Sequence, residues 1–134
     1  NLRLPEINAA IATVQMKKLP KFLKTREKNA KLLSKLLSNL NLNLPRERKN
    51  ENVNWYLYTI STTKRNILSK KLNAKGIGAA SYYPIPVHKT PFYKSKINLP
   101  ATNWAASHVL SLPIHPRVTS KNIEFIAKSI LKIL

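Results

Sequence analysis

The densest run of chemically competent side chains is in residues 82–93, where Tyr82, Tyr83, His88 and Tyr93 alternate with Pro84, Pro86 and Pro91. An imidazole exchanges a proton near neutral pH, and a phenol offers a ring face to stack on and a hydroxyl to hydrogen-bond. Elsewhere the chemistry is thin. The chain has no cysteine, which excludes disulfides, thiolate metal sites and a cysteine nucleophile. It also has no aspartate, so neither an Asp-based triad nor an Asp–Mg²⁺ site exists within it. Its five acids, Glu6, Glu27, Glu47, Glu51 and Glu124, are scattered, with none of the pairing a carboxylate hydrolase needs. His108 falls in a helical stretch and His115 in a Pro-x-His-Pro turn, so both read as structural. Three histidines without a carboxylate cluster argue against a metal site. The two glycines, Gly76 and Gly78, are too few for a phosphate-cradling GxxxxGK[ST] loop.

Charge is the second conspicuous feature. In 134 residues, Lys plus Arg number 24 against five acids, a formal net charge of +19. Such a surface attracts polyanions, and Trp55-Tyr56, Tyr82-Tyr83 and Phe92-Tyr93 are candidate stacking pairs for a basic nucleic-acid or anionic-surface binding module. Against that reading, the lysines are dispersed along the chain. Lys17, Lys18, Lys21, Lys24, Lys28, Lys31 and Lys35 recur at the spacing of a solvated helix face. No zinc-finger, homeodomain or RNP pattern is present. Nucleic acid is therefore the alternative rather than the leading partner.

The length suits one domain with a real core, and a hydrophobic fraction of 43% argues against disorder. No apolar run approaches the ~18 residues of a membrane span, so no membrane partner is expected. The opening residues lack a signal-peptide pattern. The chain starts at Asn1 rather than Met, with a helical pattern almost at once, and reads as a piece of a longer protein.

The elements that must position these residues follow from periodicity. Residues 5–19 predict a helix, with Pro5 in its first turn and Ile7, Ala10, Ile11 and Val14 on one face. Pro20 predicts a kink or a fresh start, followed by a second helical stretch over 20–39 that buries Phe22, Leu33, Leu36, Leu37 and Leu40. Residues 45–52 read as a loop and 53–61 as a strand. A helix over 64–74 presents Ile67, Leu68 and Leu72, and Gly76 ends it. A short strand, 77–82, leads into a proline-rich loop, 83–98, long enough to be functional. A helix between Thr102 and Leu110, an extended piece at Leu112 and Ile114, and a final helix over 120–133 complete the chain. Thr119 caps that last helix, and Ile123, Ile126, Ile130 and Ile133 line its apolar face. The fold class is α/β or α+β, long helices packed on a small, mostly antiparallel sheet.

Three blocks, taken in order, carry a resemblance. The first is Asn1-Leu2-Arg3-Leu4-Pro5-Glu6-Ile7-Asn8-Ala9-Ala10, then Gln15-Met16-Lys17-Lys18-Leu19 and Arg26. The second is Lys75-Gly76-Ile77-Gly78, running into Tyr82-Tyr83-Pro84-Ile85-Pro86-Val87-His88 and Pro91-Phe92-Tyr93. The third is Leu110-Ser111-Leu112-Pro113-Ile114-His115-Pro116, then Thr119 and the closing helix. Together they resemble the C-terminal portion of the DegT/DnrJ/EryC1/StrS aminotransferases, across essentially all of this chain but only about the last third of such an enzyme.

The resemblance implies the C-terminal part of a type I aminotransferase fold, in a cytoplasmic homodimer that uses pyridoxal 5'-phosphate. It implies transfer of an amino group from glutamate to a keto group on a nucleotide-linked sugar. The lysine that holds the cofactor, and the Asp that pairs with its ring nitrogen, belong to an N-terminal domain absent from this chain. Residues 1–134 are then the small domain, with no catalytic residue of their own, and inactive alone. Asn1 and Arg3 match the family's Asn-x-Arg motif and are implied to lie near the cofactor phosphate. His88 matches its Pro-x-His loop, with Tyr83 and Tyr93 as further substrate contacts. Ser81 stands where many members carry a histidine before the Tyr-Pro pair, a departure that argues against a histidine-dependent contact there and for a different substrate.

Overall fold

In the computed structural model, which describes residues 3–134, the chain opens with a single long helix, α1 (Glu6–Leu37), of 32 residues. Pro20 lies inside it rather than ending it, so of the kink or fresh start predicted there the fresh start does not occur. A proline removes its own N–H from the ladder and crowds the carbonyl four residues back, at a cost of about 3 kcal/mol that the rest of a long helix can offset. Here Met16 to Leu19, Lys21 and Leu23 are good helix formers that carry the turn across the gap. The C-terminal half is amphipathic as expected: Ala30, Leu33 and Leu37 are fully buried, with Leu32, Leu36 and Leu40 packed against them. Lys17, Lys21, Lys24, Lys28, Lys31 and Lys35 are exposed, and Lys31 pairs with Glu27 one turn away.

The N-terminal half departs from expectation. Ile7, Ile11 and Val14 share a face as predicted, but remain 75%, 58% and 50% exposed. Helical period can define an apolar face; it cannot supply the surface that covers it.

The sheet is smaller than the sequence predicts. Strand β1 (Tyr58–Ser61) pairs antiparallel with β2 (Val109–Leu112), from Tyr58 opposite Leu112 to Ser61 opposite Val109. Of the strand expected over 53–61, only the last four residues pair. Trp55 has a φ of +49°, which turns the chain out of the extended path and sends its ring into the core, stacked on Tyr58 at 6.1 Å. The strand expected over 77–82 reduces to a single bridge, Ala80 to Ser111.

Helix α2 (Arg65–Asn73) buries Leu68 and Leu72, one turn apart, but leaves Ile67, about 100° round the helix, exposed. Gly76 stops the helix at φ +75°: its N–H bonds the Asn73 carbonyl and that of Ile77 bonds Leu72, a Schellman closure. After the loop comes α3 (Pro100–His108), which starts two residues earlier than predicted because Pro100 suits a first helical position. It also ends earlier, since Val109 and Leu110 belong to β2.

Helix α4 (Ser120–Leu131) packs along α1 through Ile123, Ile126 and Ile130, with Ile133 partly buried beyond it. Its cap is the predicted one. Thr119 Oγ1 accepts from the Asn122 N–H at 3.2 Å, and Asn122 Oδ1 accepts from the Thr119 N–H at 2.9 Å. Thr119→Ala is expected to cost about 1 kcal/mol in urea unfolding, with Thr119→Ser retaining most of it.

Tyr58 anchors the sheet to α1. Its ring is fully buried and its hydroxyl lies 2.8 Å from Ser34 Oγ. Burial pushes the phenol above its ordinary value of 10.0, and the Ser34 contact offsets this only in part. The unfolded chain thus releases this proton near pH 10 while the folded chain still holds it. The associated stability is complete below about pH 10 and is lost as pH rises through the folded value. Wild type should therefore lose melting temperature above pH 10 faster than Tyr58→Phe, measured by circular dichroism from pH 8 upward.

Candidate functional site

The predicted substrate contacts lie on one loop, residues 82–99, between the bridge at Ala80 and helix α3. Its prolines and local hydrogen bonds give it shape. The Lys89 N–H bonds the Pro86 carbonyl at 2.9 Å and that of Thr90 bonds Val87 at 3.1 Å, forming a single 3₁₀ turn over Val87–Lys89. The Lys94 N–H reaches Thr90 at 2.9 Å, and the Ser95 N–H closes the loop on the His88 carbonyl at 2.8 Å.

Within this frame Tyr83 and Tyr93 stand exposed, each edge-to-face with its neighbour: Tyr82 at 6.1 Å and Phe92 at 4.9 Å. His88 is half-buried, and its Nε2 is shielded from solvent with no hydrogen-bond partner. Its hydrogen-bonding capacity is unmet among the described residues. Among the described residues no hydrogen bond or ring contact joins Tyr83, His88 and Tyr93 to one another. Of the two predicted cofactor contacts, Arg3 is exposed just before α1, and Asn1 lies outside the described residues.

Trp55 is not available as a stacking platform, because its ring is committed to the core. Its neighbour Tyr56 lies beneath the Arg26 guanidinium, 5.5 Å from the ring centre. Among the described residues no cluster of His and acidic side chains could hold a metal ion. No described helix is long and apolar enough to cross a membrane. An open groove of about 420 Å³ runs between Gly76–Gly78 and α4, with His115, Asn122 and Phe125 in its wall and none of the predicted site residues.

Two residues missed in the sequence support the loop. Arg65, at the start of α2, donates to Ser81 Oγ, Ala106 O and Ser107 O. Asn73 Nδ2 donates to the Ala79 carbonyl at 2.8 Å. The sequence carries little signal for Arg65: a cation at a helix N-terminus opposes the dipole, but among 24 Lys and Arg residues that does not single it out.

Comparison with known proteins agrees with the geometry. The profile of the DegT/DnrJ/EryC1/StrS aminotransferase family matches residues 1–131. A dTDP-3-amino-3,4,6-trideoxy-alpha-D-glucose transaminase of Streptomyces venezuelae is 33% identical over 123 residues, 88% of this chain and 32% of that protein. A UDP-N-acetyl-3-dehydro-alpha-D-glucosamine 3-aminotransferase of Acidithiobacillus ferrooxidans is 30% identical over 136 residues, all of this chain and 37% of its own length. Among solved structures, S. venezuelae DesV superposes with a TM-score of 0.91 at 29% identity, covering 97% of this chain and 36% of DesV. A family member from Brucella abortus gives 0.88 at 27%, with the same coverage. The chain spans about a third of the length of the curated relatives it matches. With the matched blocks, the loop they frame and the superposition all in agreement, the chain belongs to the DegT/DnrJ/EryC1/StrS aminotransferase family.

Proposed function

We propose that this chain is the C-terminal domain of a pyridoxal 5'-phosphate-dependent aminotransferase acting on a nucleotide-linked keto sugar, with glutamate as amino donor and a homodimer as the working unit. The observation that carries this reading is the family match over nearly the whole chain, together with relatives named as transaminases of dTDP- and UDP-linked sugars. The cofactor, when bound, supplies an electron sink for the transfer.

This chain's own residues have narrower work. An amide at Asn1 and a guanidinium at Arg3 are hydrogen-bond donors suited to the phosphate oxygens of the cofactor. The aspartate that the family sets against its ring nitrogen is not among these residues, since the chain contains no aspartate. That partner and the cofactor lysine belong to the N-terminal domain, and the chain alone is inactive. The loop orients the substrate: exposed Tyr83 and Tyr93 offer ring faces and hydroxyls to the nucleotide-sugar, and half-buried His88 stands on the same loop with its Nε2 hydrogen bond unmet. The open face of Ile7, Ile11 and Val14 is where the rest of the protein rests on α1.

The test uses the full-length protein. It should show the visible absorbance of lysine-bound cofactor and move an amino group from glutamate to a keto-sugar nucleotide. The 134-residue chain alone should do neither. A full-length protein with no cofactor absorbance and no transfer overturns the reading.

A further inference from the structure

One side chain bridges the residue before the loop 82–99 and the far end of the helix that follows it. Arg65 Nη1 donates to Ser81 Oγ at 3.1 Å, immediately before the loop. Its Nη2 and Nε donate to the carbonyls of Ala106 at 2.9 Å and Ser107 at 3.0 Å, in the last turn of the helix that follows the loop. Ser81 passes the connection on, donating to the Val109 carbonyl of β2 at 2.9 Å. Between these anchors the loop is bonded only to itself and to the start of α3. Among the described residues no hydrogen bond from 82–98 reaches any other element.

The chemistry of the clamp is specific. The last carbonyls of a helix have no intrahelical donor, and a planar guanidinium can meet two of them while a third N–H points elsewhere. A lysine ammonium is a single point of charge and does not reproduce that fork. A serine hydroxyl both accepts and donates, so Ser81 can link Arg65 to the sheet.

We infer that Arg65 is a positioning residue: through Ser81 and the end of α3 it sets where Tyr83 and His88 stand, and so sets affinity for the nucleotide part of the substrate. This rests on the reading above, that the loop meets a nucleotide-sugar.

The experiment compares full-length wild type with Arg65→Lys, Arg65→Ala and Ser81→Ala. It measures KM for the nucleotide-sugar, inhibition by the nucleoside diphosphate alone, amino-group uptake from glutamate without sugar, and the melting temperature. In Arg65→Lys, both KM for the sugar and the inhibition constant of the diphosphate should rise about tenfold. Uptake from glutamate should change less than about threefold. Ser81→Ala should shift the same two constants in the same direction. A purely structural role would move the melting temperature and both half-reactions together. If Arg65→Ala fails to fold, Arg65→Lys and Ser81→Ala decide the matter. An active wild type whose folded Lys and Ala variants keep the wild-type diphosphate affinity overturns this inference alone. A wild type without transfer overturns the underlying reading, and this inference with it.

Discussion

Replacing Asn29 with alanine is expected to destabilise the chain by about 2–4 kcal/mol, although the change removes only an amide. Asn29 sits on the buried side of α1, and its Nδ2 donates to the carbonyls of Val118 at 2.9 Å and Ile114 at 3.3 Å. Those carbonyls belong to the turn that takes the chain from β2 into α4. The side chain therefore ties the first helix to a segment 85 to 89 residues away. Truncation strips the donor from two carbonyls held in the interior, and each unmet group costs about 1–3 kcal/mol. Asn29→Asp sharpens the test. It is nearly the same shape, but a carboxylate has only acceptors to offer two acceptors, and burying its charge adds a further cost. It should be at least as damaging as alanine. Urea unfolding followed by circular dichroism measures both. A loss below about 1 kcal/mol in Asn29→Ala would mean that the two carbonyls find other donors and that the amide is not the tie.

Leu33→Ala is expected to cost about 3 kcal/mol, while Ile11→Ala in the same chain should fall within about 0.5 kcal/mol of wild type. Both residues are large apolar side chains on α1. Leu33 is fully buried in the core, so truncation loses transfer energy and leaves a cavity. Ile11 is 58% exposed, so truncation there removes little buried surface. The contrast separates intrinsic helix propensity, which is similar for the two changes, from packing, which is not. In the full-length protein Ile11→Ala should become costly as well, because the proposed N-terminal domain covers that face. A full-length protein indifferent to Ile11→Ala would place the rest of the molecule elsewhere.

The contrast between Leu33 and Ile11 also marks how far the sequence was legible. Where one interaction is decided within a few residues, the reading was right. Thr119 caps α4 because its partner Asn122 is three residues on, and Gly76 ends α2 because that turn needs a positive φ. The Ile123, Ile126 and Ile130 stripe is buried because a helical period puts the three on one face, and here α1 covers it. The three motif blocks carried the family for a similar reason: each is a short run of fixed spacing, and the family profile spans all of them.

Where the outcome depends on distant partners, the reading fell short. Pro20 breaks a ladder locally, yet α1 continues through it, its downstream half held by burial against α4. Trp55 belongs to an apparent strand, but its ring is drawn into the core onto Tyr58 and the backbone follows. The candidate site divides in the same way. Tyr83, His88 and Tyr93 were visible as residue types in a proline-rich loop. The Arg65 clamp was not, because its partners Ser81, Ala106 and Ser107 are 16 to 42 residues away and two of them are backbone carbonyls. Spacing in a linear chain encodes helix faces, caps and turns, since these are contacts across three or four residues. It does not encode which surface meets which, and a carbonyl is the same in every residue. Burial at Leu33, exposure at Ile11 and the grip of Arg65 on Ser81 and the end of α3 were therefore decided only when the chain closed on itself.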